Sequence, residues 1–364
     1  MSLVIFKSGS FQQIHKLIPD ENHAVFCIHG NHFKQQVYFS ELQQQLSAYT
    51  VNFCIKESGD LTSNEIKEAL RKFQQSNHSV ILAIGGGAVL DLAKGIIYES
   101  ALLQKRKKPF FIAIPTTAGS GSEATMFAVY YENNQKKSID HLSLLPDVCM
   151  LDAELTLSLT KRQTAISGMD ALAQAIESIW NIHATKESKQ YASEAIKLIM
   201  HTLPLSIRNG KKLLFRETLL HAAHLSGKAI NITRTTGPHA MSYYLTANYQ
   251  IPHGHSVALF LGVFFAYNSK VTTANCSHPE GLLPVLQSLN NIYTLLDVNN
   301  AEEAITRLQL FMKQVGLETK LNQLGINKML VLDTLTVAVN QQRFCNNPVT
   351  YNKEELKKLC NIYL

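Results

Sequence analysis

The sequence predicts an α/β amino-terminal half followed by an all-helical carboxyl-terminal half. Two observations carry this. Up to about residue 150 short apolar runs alternate with amphipathic stretches, the pattern of parallel strands joined by crossover helices. From about residue 160 strand signals nearly vanish and long helical periods take over. A length of 364 residues already suggests two domains, and the change of pattern sets them at 1–158 and 159–364.

Taken in order, Ala24–Ile28 and Tyr49–Ile55 read as buried strands. SNEIKEALRKFQQS (63–76) has helical spacing behind a Ser/Asn cap, Ser79–Ile84 returns to strand, and AVLDLAKGIIYES (88–100) is helical again. Pro109–Ile114 is a strand that ends at a proline. Helical segments then follow at 161–182, 186–208, 212–230, 255–269, 283–297, 301–315 and 326–341. The first three carry Ala, Leu and Ile on one face, and the last two are amphipathic. No repeat of fixed period and no low-complexity tract interrupts the chain. Functional loops are expected at the carboxyl ends of the strands, and the active site in the cleft between the halves.

Composition narrows the function classes. Hydrophobic residues make up 46% and charged residues 17%, enough apolar side chain for a large core. Lys+Arg 34 against Asp+Glu 28 gives +6, spread without basic blocks, which argues against nucleic-acid binding and leaves room for an anionic substrate. No apolar run approaches the ~18 residues of a membrane span, and the first residues lack the pattern of a secretory signal. Six scattered cysteines without a CxxC pair suit free thiols in a reducing compartment. A cytoplasmic protein is expected.

The strongest local motif is Val80-Ile-Leu-Ala-Ile-Gly-Gly-Gly-Ala-Val-Leu-Asp91, a buried strand running through Gly85, Gly86 and Gly87 into a helix. Such glycines permit positive φ and a close approach of backbone amides to a ligand, and the helix start favours a pyrophosphate. It is not GxGxxG, since Leu90 takes the third glycine position. The next strand ends in Pro115-Thr-Thr-Ala-Gly-Ser-Gly-Ser-Glu123, where Thr116, Thr117, Ser120 and Ser122 can bond ribose or phosphate oxygens. Two such loops on consecutive strand ends favour a nucleotide. In Gly168-Met-Asp-Ala-Leu-Ala-Gln-Ala-Ile-Glu177, Asp170 and Gln174 share a helix face. His239 and His253 follow, fourteen apart across what reads as a proline-containing turn. A carboxylate, an amide oxygen and two imidazoles make a candidate divalent-metal site.

Together, GGGAVLD, PTTAGSGSE, GMDALAQAIES and PHAMSYYLTANYQIPHGH resemble the iron-containing (group III) alcohol dehydrogenase family, collinearly from about residue 20 to Val349. The resemblance implies an NAD(P)-binding α/β domain over 1–158 and a helical metal- and substrate-binding domain over 159–364. It implies cofactor contacts at Gly85, Gly86, Gly87, Asp91, Thr116, Thr117, Ser120 and Lys137, and metal ligands at Asp170, His239 and His253. The fourth ligand of relatives is usually His and is Gln174 here, a poorer donor for a transition metal. Tyr243 stands where many relatives carry a His proposed to relay a proton; Tyr243, His255 or solvent can serve.

Two further departures bear on specificity. Ile28-His-Gly-Asn31 offers no acid to repel a 2′-phosphate, so NADPH is slightly favoured over NADH. Arg234 lies five residues before His239 where simple alcohol dehydrogenases carry a small residue, and is the candidate partner of an anionic substrate. TRTTGPHAMSYYLT and the NNPV tail look most like the phosphonoacetaldehyde reductase branch. The expectation is therefore an NAD(P)H-linked aldehyde reductase or alcohol dehydrogenase with Fe2+ or Zn2+, acting as a homodimer. Rival readings are a dehydroquinate synthase-type or glycerol dehydrogenase-like enzyme on the same scaffold, and a nucleotide-binding protein with a decayed metal site.

Overall fold

Among the described residues, eight strands lie in the first of two units, Met1–Ser158: β1 (Leu3–Phe6), β2 (Ala24–Gly30), β3 (Thr50–Lys56), β4 (Val80–Gly85), β5 (Phe110–Pro115), β6 (Phe127–Glu132), β7 (Gln135–Asp140) and β8 (Val148–Leu151). The computed structural model describes residues 2–19, 24–133 and 135–364. Six of the strands form a parallel sheet in the order β1-β8-β5-β4-β2-β3, and β6–β7 is a separate antiparallel hairpin. Every residue of β4 is buried, as a strand covered on both faces requires, and its unbroken apolar run follows from that.

The helices of this unit are α1 (Asn31–Lys34), α2 (Val37–Gln45), α3 (Ser63–Gln74) and α4 (Gly87–Ile97). Alternation along the strands splits the core in two. Phe26, Ile28, Ile81 and Ala83 pack with α3 and α4, whereas Val25, Cys27, Val80 and Leu82 pack with α2 on the other face. The helices that follow β2 and β4 thus cover opposite faces, which makes the carboxyl ends of these neighbouring strands a topological switch point. Each buried Leu, Ile or Val of these clusters contributes on the order of 2 kcal/mol by leaving water.

The second unit, Leu159–Leu364, is helical: α5 (Lys161–Trp180), α6 (Lys186–Arg208), α7 (Leu213–Thr233), α8 (Gly237–Tyr249), α9 (His253–Asn268), α10 (Leu282–Leu296), α11 (Ala301–Gln314), α12 (Lys328–Val337), α13 (Gln341–Phe344) and α14 (Lys353–Tyr363). Thr160 opens α5 with a capping box closed by Gln163. Gly168 lets α6 come close, since a Cβ there would stand 2.6 Å from Leu203 Cδ1. Among the described residues no helix is long and apolar enough to cross a membrane.

Several elements differ from the sequence expectation. The proline-containing turn read between His239 and His253 is the connection 250–252 with Pro252, whereas Pro238 stands in the first turn of α8, where a proline lacks no bond it would otherwise make. The helix read over 88–100 ends as α at Ile97 and runs on as a π turn, Tyr98–Leu103. The antiparallel pair β6–β7 is a further element that the reading passed over.

Candidate active site

The site in the second unit starts from a stripe on α5. Asp170, Gln174 and Glu177 fall at i, i+4 and i+7, so one face of a buried helix presents three polar side chains. Burial of such groups is costly unless they are hydrogen-bonded, paired with an opposite charge or bound to a metal ion.

His239 stands in the first turn of α8 and spans this stripe. Its Nδ1 bonds to Glu177 Oε2, and its Nε2 lies 3.5 Å from Asp170 Oδ1. Glu177 Oε1 accepts from the Thr236 N–H at 2.9 Å, the Thr236 hydroxyl at 3.0 Å and the His239 N–H at 3.3 Å. Trp180 Nε1 donates to the Thr236 hydroxyl at 2.9 Å. The carboxylate therefore caps α8 and orients the imidazole with the same two oxygens. Burial disfavours an imidazolium at His239, but Glu177 and Asp170 outweigh it and lift the ion-free group to about 9.

His253 opens α9, and Gly254 is what lets it approach α5. A Cβ at 254 would lie 2.3 Å from the Ile166 carbonyl and 2.8 Å from Asp170 Cβ, so only glycine fits. Ligand atoms of Asp170, His239 and His253 all lie within 4.8 Å of one another. The two imidazoles are 5.3 Å apart by centroid, and the Tyr243 ring stacks on His253 at 5.9 Å and 27°. Tyr243 hydrogen-bonds the side chains of Arg343 and Thr235; burial raises its hydroxyl, against the pull of Arg343.

One carboxylate and two imidazoles form a donor set suited to a divalent transition ion. The residues fit. His239 is held through Nδ1 by a carboxylate and offers Nε2 toward Asp170, the arrangement that ligating histidines adopt. Gln174, one turn from Asp170 and buried, stands on the same stripe as a fourth donor.

In the first unit the glycine loop and the hydroxyl loop meet. A Cβ on Gly87 would lie 2.8 Å from Ser120 Oγ, and one on Gly86 3.4 Å from Thr117. Thr116 N donates to Gly85 O at 3.0 Å. Gly86 caps α4 without a side-chain bond, leaving the first amides of the helix for a phosphate. With the switch point between β2 and β4, these residues fit a dinucleotide.

Both halves of the chain match one family. Residues 2–153 match the iron-containing alcohol dehydrogenase profile, and residues 164–363 match that of the Fe-containing alcohol dehydrogenase family, C-terminal. This chain belongs to the iron-containing alcohol dehydrogenase family. The phosphonoacetaldehyde reductase of Streptomyces viridochromogenes is 29% identical over 329 residues, 84% of this chain and 81% of that protein. A probable alcohol dehydrogenase of Escherichia coli is 30% identical over 313 residues, 82% and 76% of the two chains. The fold matches sulfoacetaldehyde reductase from Bifidobacterium kashiwanohense, solved with NAD+, at a TM-score of 0.85 and 23% identity, covering 100% and 96% of the chains. An iron-containing alcohol dehydrogenase from Thermococcus thioreducens gives 0.87 at 24%, covering 99% and 97%. As a family member the protein is an oxidoreductase acting on CH–OH groups with a nicotinamide cofactor and a divalent metal.

The other residues that the sequence singles out in this iron-containing alcohol dehydrogenase are spread over both units. None of Gly85, Gly86 and Gly87 has positive φ; Gly85 is required because a Cβ would stand 2.5 Å from Val89 Cγ2. Asp91 accepts from the Ser122 hydroxyl at 2.6 Å and the Val129 N–H at 2.9 Å, which ties α4 to the hairpin. Lys137 is exposed on β7, opposite Tyr130. Arg234 Nη1 donates to the Ile230 and Asn231 carbonyls, which ties this side of the guanidinium to the end of its own helix α7. His255 is buried with Nε2 on the Glu318 carbonyl at 2.8 Å, and burial lowers its pKa.

Sequence reasoning missed Glu177, Gly254 and Arg343. Of these only Glu177 carried a signal, its i+7 spacing from Asp170.

Proposed function

We propose that this enzyme reduces a short aldehyde bearing an anionic tail, phosphonoacetaldehyde to 2-hydroxyethylphosphonate, with Fe2+ or Zn2+ at Asp170, His239 and His253. The observation that carries the reductase reading is the Asp170–His239–His253 cluster, in which Asp170 and His239 are buried, His253 is half-buried and Glu177 holds His239 from behind. The anionic tail is supported by the similarity to the Streptomyces phosphonoacetaldehyde reductase and by the net charge of +6.

When bound, the ion supplies Lewis-acid polarisation of a carbonyl, and the nicotinamide supplies hydride. Asp170, His239 and His253 hold the ion, with Gln174 as fourth donor. Glu177 keeps His239 in the tautomer that presents Nε2. Tyr243, stacked on His253 and raised by burial, holds a proton at Oη for the product alkoxide, and its bond to Arg343 fixes the ring. Gly85, Gly86, Gly87, Thr116, Thr117 and Ser120 cradle the cofactor; Asp91 shapes this loop through Ser122.

Cofactor choice belongs to the ends of β2 and β3. Gly30 and Asn31 place no acid after β2, which admits the 2′-phosphate of NADPH; Asn31 Nδ2 donates to Glu57, an exposed carboxylate that works against it. A homodimer suits β1, an edge strand with Leu3, Val4 and Phe6 exposed. The metal-loaded protein, followed by nicotinamide absorbance, should turn over phosphonoacetaldehyde at a higher kcat/KM than propanal. Preference for propanal would overturn the substrate assignment, and redox-neutral turnover the reductase reading.

A further inference from the structure

The segment 340–347 is fastened to the α8 region at both ends. The Asn340 N–H donates to Ala240 O at 3.1 Å, one residue beyond His239, and Asn346 Nδ2 donates to Thr235 O at 2.9 Å. Between these ties α13 carries Arg343, capped at its N–H by Asn340 Oδ1 at 3.0 Å and almost fully buried. Its guanidinium hydrogen-bonds Tyr243, whose ring stacks on His253. A permanent positive charge is thus set one aromatic ring away from the metal-ligand cluster. Glu177 is committed to Thr236 and His239.

We infer that Arg343, and not Arg234, is the specificity residue that receives the anionic tail of the aldehyde. This rests on the aldehyde-reductase reading above. Arginine presents a rigid planar fork that a phosphonate or carboxylate can meet with two parallel hydrogen bonds, and it cannot shed its charge when buried. Tyr243 then spaces the two ends of the substrate. The carbonyl end lies on the His253 side of that ring and the oxyanion on the Arg343 side. An uncharged aldehyde gains from Arg343 only the placement of Tyr243 and makes no bond to the guanidinium itself.

The test compares Arg343→Gln and Arg343→Lys with the unmodified, metal-loaded enzyme on phosphonoacetaldehyde, succinic semialdehyde and propanal. Arg343→Gln should lower the kcat/KM ratio of phosphonoacetaldehyde over propanal about a hundredfold, chiefly through KM, and Arg343→Lys should recover part of it. Calorimetric binding of 2-hydroxyethylphosphonate to the cofactor-loaded protein should be lost in Arg343→Gln with bound metal unchanged. A larger loss for phosphonoacetaldehyde than for succinic semialdehyde assigns the tail as phosphonate; the reverse assigns carboxylate, and either supports the role of Arg343. An equal loss for all three aldehydes, or an unchanged ratio, would overturn it. If Arg343→Gln does not fold, the ratio in Arg343→Lys decides. An unmodified enzyme that prefers propanal sinks both the substrate reading and this inference, whereas a preference for phosphonoacetaldehyde that survives Arg343→Gln sinks the inference alone.

Discussion

Glu177 holds His239 from behind, and the same carboxylate closes the amino terminus of α8 on which His239 sits. The two roles are coupled, since one rigid acid from α5 sets both where the helix begins and which ring nitrogen faces Asp170. An imidazole on a helix start would otherwise be free to rotate and to change tautomer.

Replacing this acid by its amide tests the coupling. Glu177→Gln keeps the volume and can still accept from Thr236, but turns an N–H donor or a weaker acceptor toward His239 Nδ1. Metal affinity should fall about 10- to 100-fold, read by competition with a chelating dye, while the thermal midpoint changes little. Unchanged affinity would show that orientation of His239 does not depend on Glu177.

The ligand cluster makes two opposed predictions. His253→Ala should remove bound metal and turnover and leave cofactor binding nearly intact, because the glycine loop belongs to the other unit. Gln174→His should tighten metal retention, imidazole being the better donor on that stripe. Metal analysis after dialysis and cofactor titration by fluorescence check both. A fully active His253→Ala would refute the site.

Cofactor preference should respond at the corner of β2 and β3. Gly30→Asp is sterically open, since a Cβ there meets only Val89 at 3.8 Å, and should move preference toward NADH. His29→Asp is the wrong test: His29 is buried among Phe33, Phe39 and Phe53, and a carboxylate there would cost stability. Glu57→Gln should raise kcat/KM for NADPH relative to NADH by removing a repelling charge beside Asn31. Steady-state kinetics with both cofactors reads the ratio; no movement in either variant would place the ribose elsewhere.

Lys94 gives a pH-dependent prediction. Burial pushes its ammonium down from 10.5 to about 8, against the pull of Asp91, Glu123 and Asp140. The folded group releases its proton before the unfolded one, so its contribution to stability is full above 10.5 and lost as the pH falls through 8. The stability of the unmodified protein relative to Lys94→Met should therefore rise between pH 8 and 10, measured by denaturant unfolding. A flat difference would show that Lys94 keeps its ordinary proton affinity while bonded to Ser122, Thr125 and Phe127.

What the sequence determined by itself was whatever repeats locally. Strands β2 to β5 and helices α5 to α7 announce themselves through period and capping residues such as Thr160, because an apolar stripe must meet a core. Asp170 and Gln174 were legible as a pair for the same reason, four residues being one helical turn. His239 and His253 were legible as candidate donors by residue type, and as ligands of one site only through the family motif, since nothing in a spacing of fourteen brings two helix starts together.

Tertiary structure decided the rest. Gly254 lets α9 reach Asp170, Glu177 turns His239, and α13 delivers Arg343 to Tyr243 from a hundred residues away in the chain. It also turned Arg234 back onto α7, where the open carbonyls of a helix end attract a nearby guanidinium. These are contacts between elements, and their energies depend on which neighbour arrives. A one-dimensional pattern lists the donors and acceptors a chain owns; only the packed chain decides which of them meet.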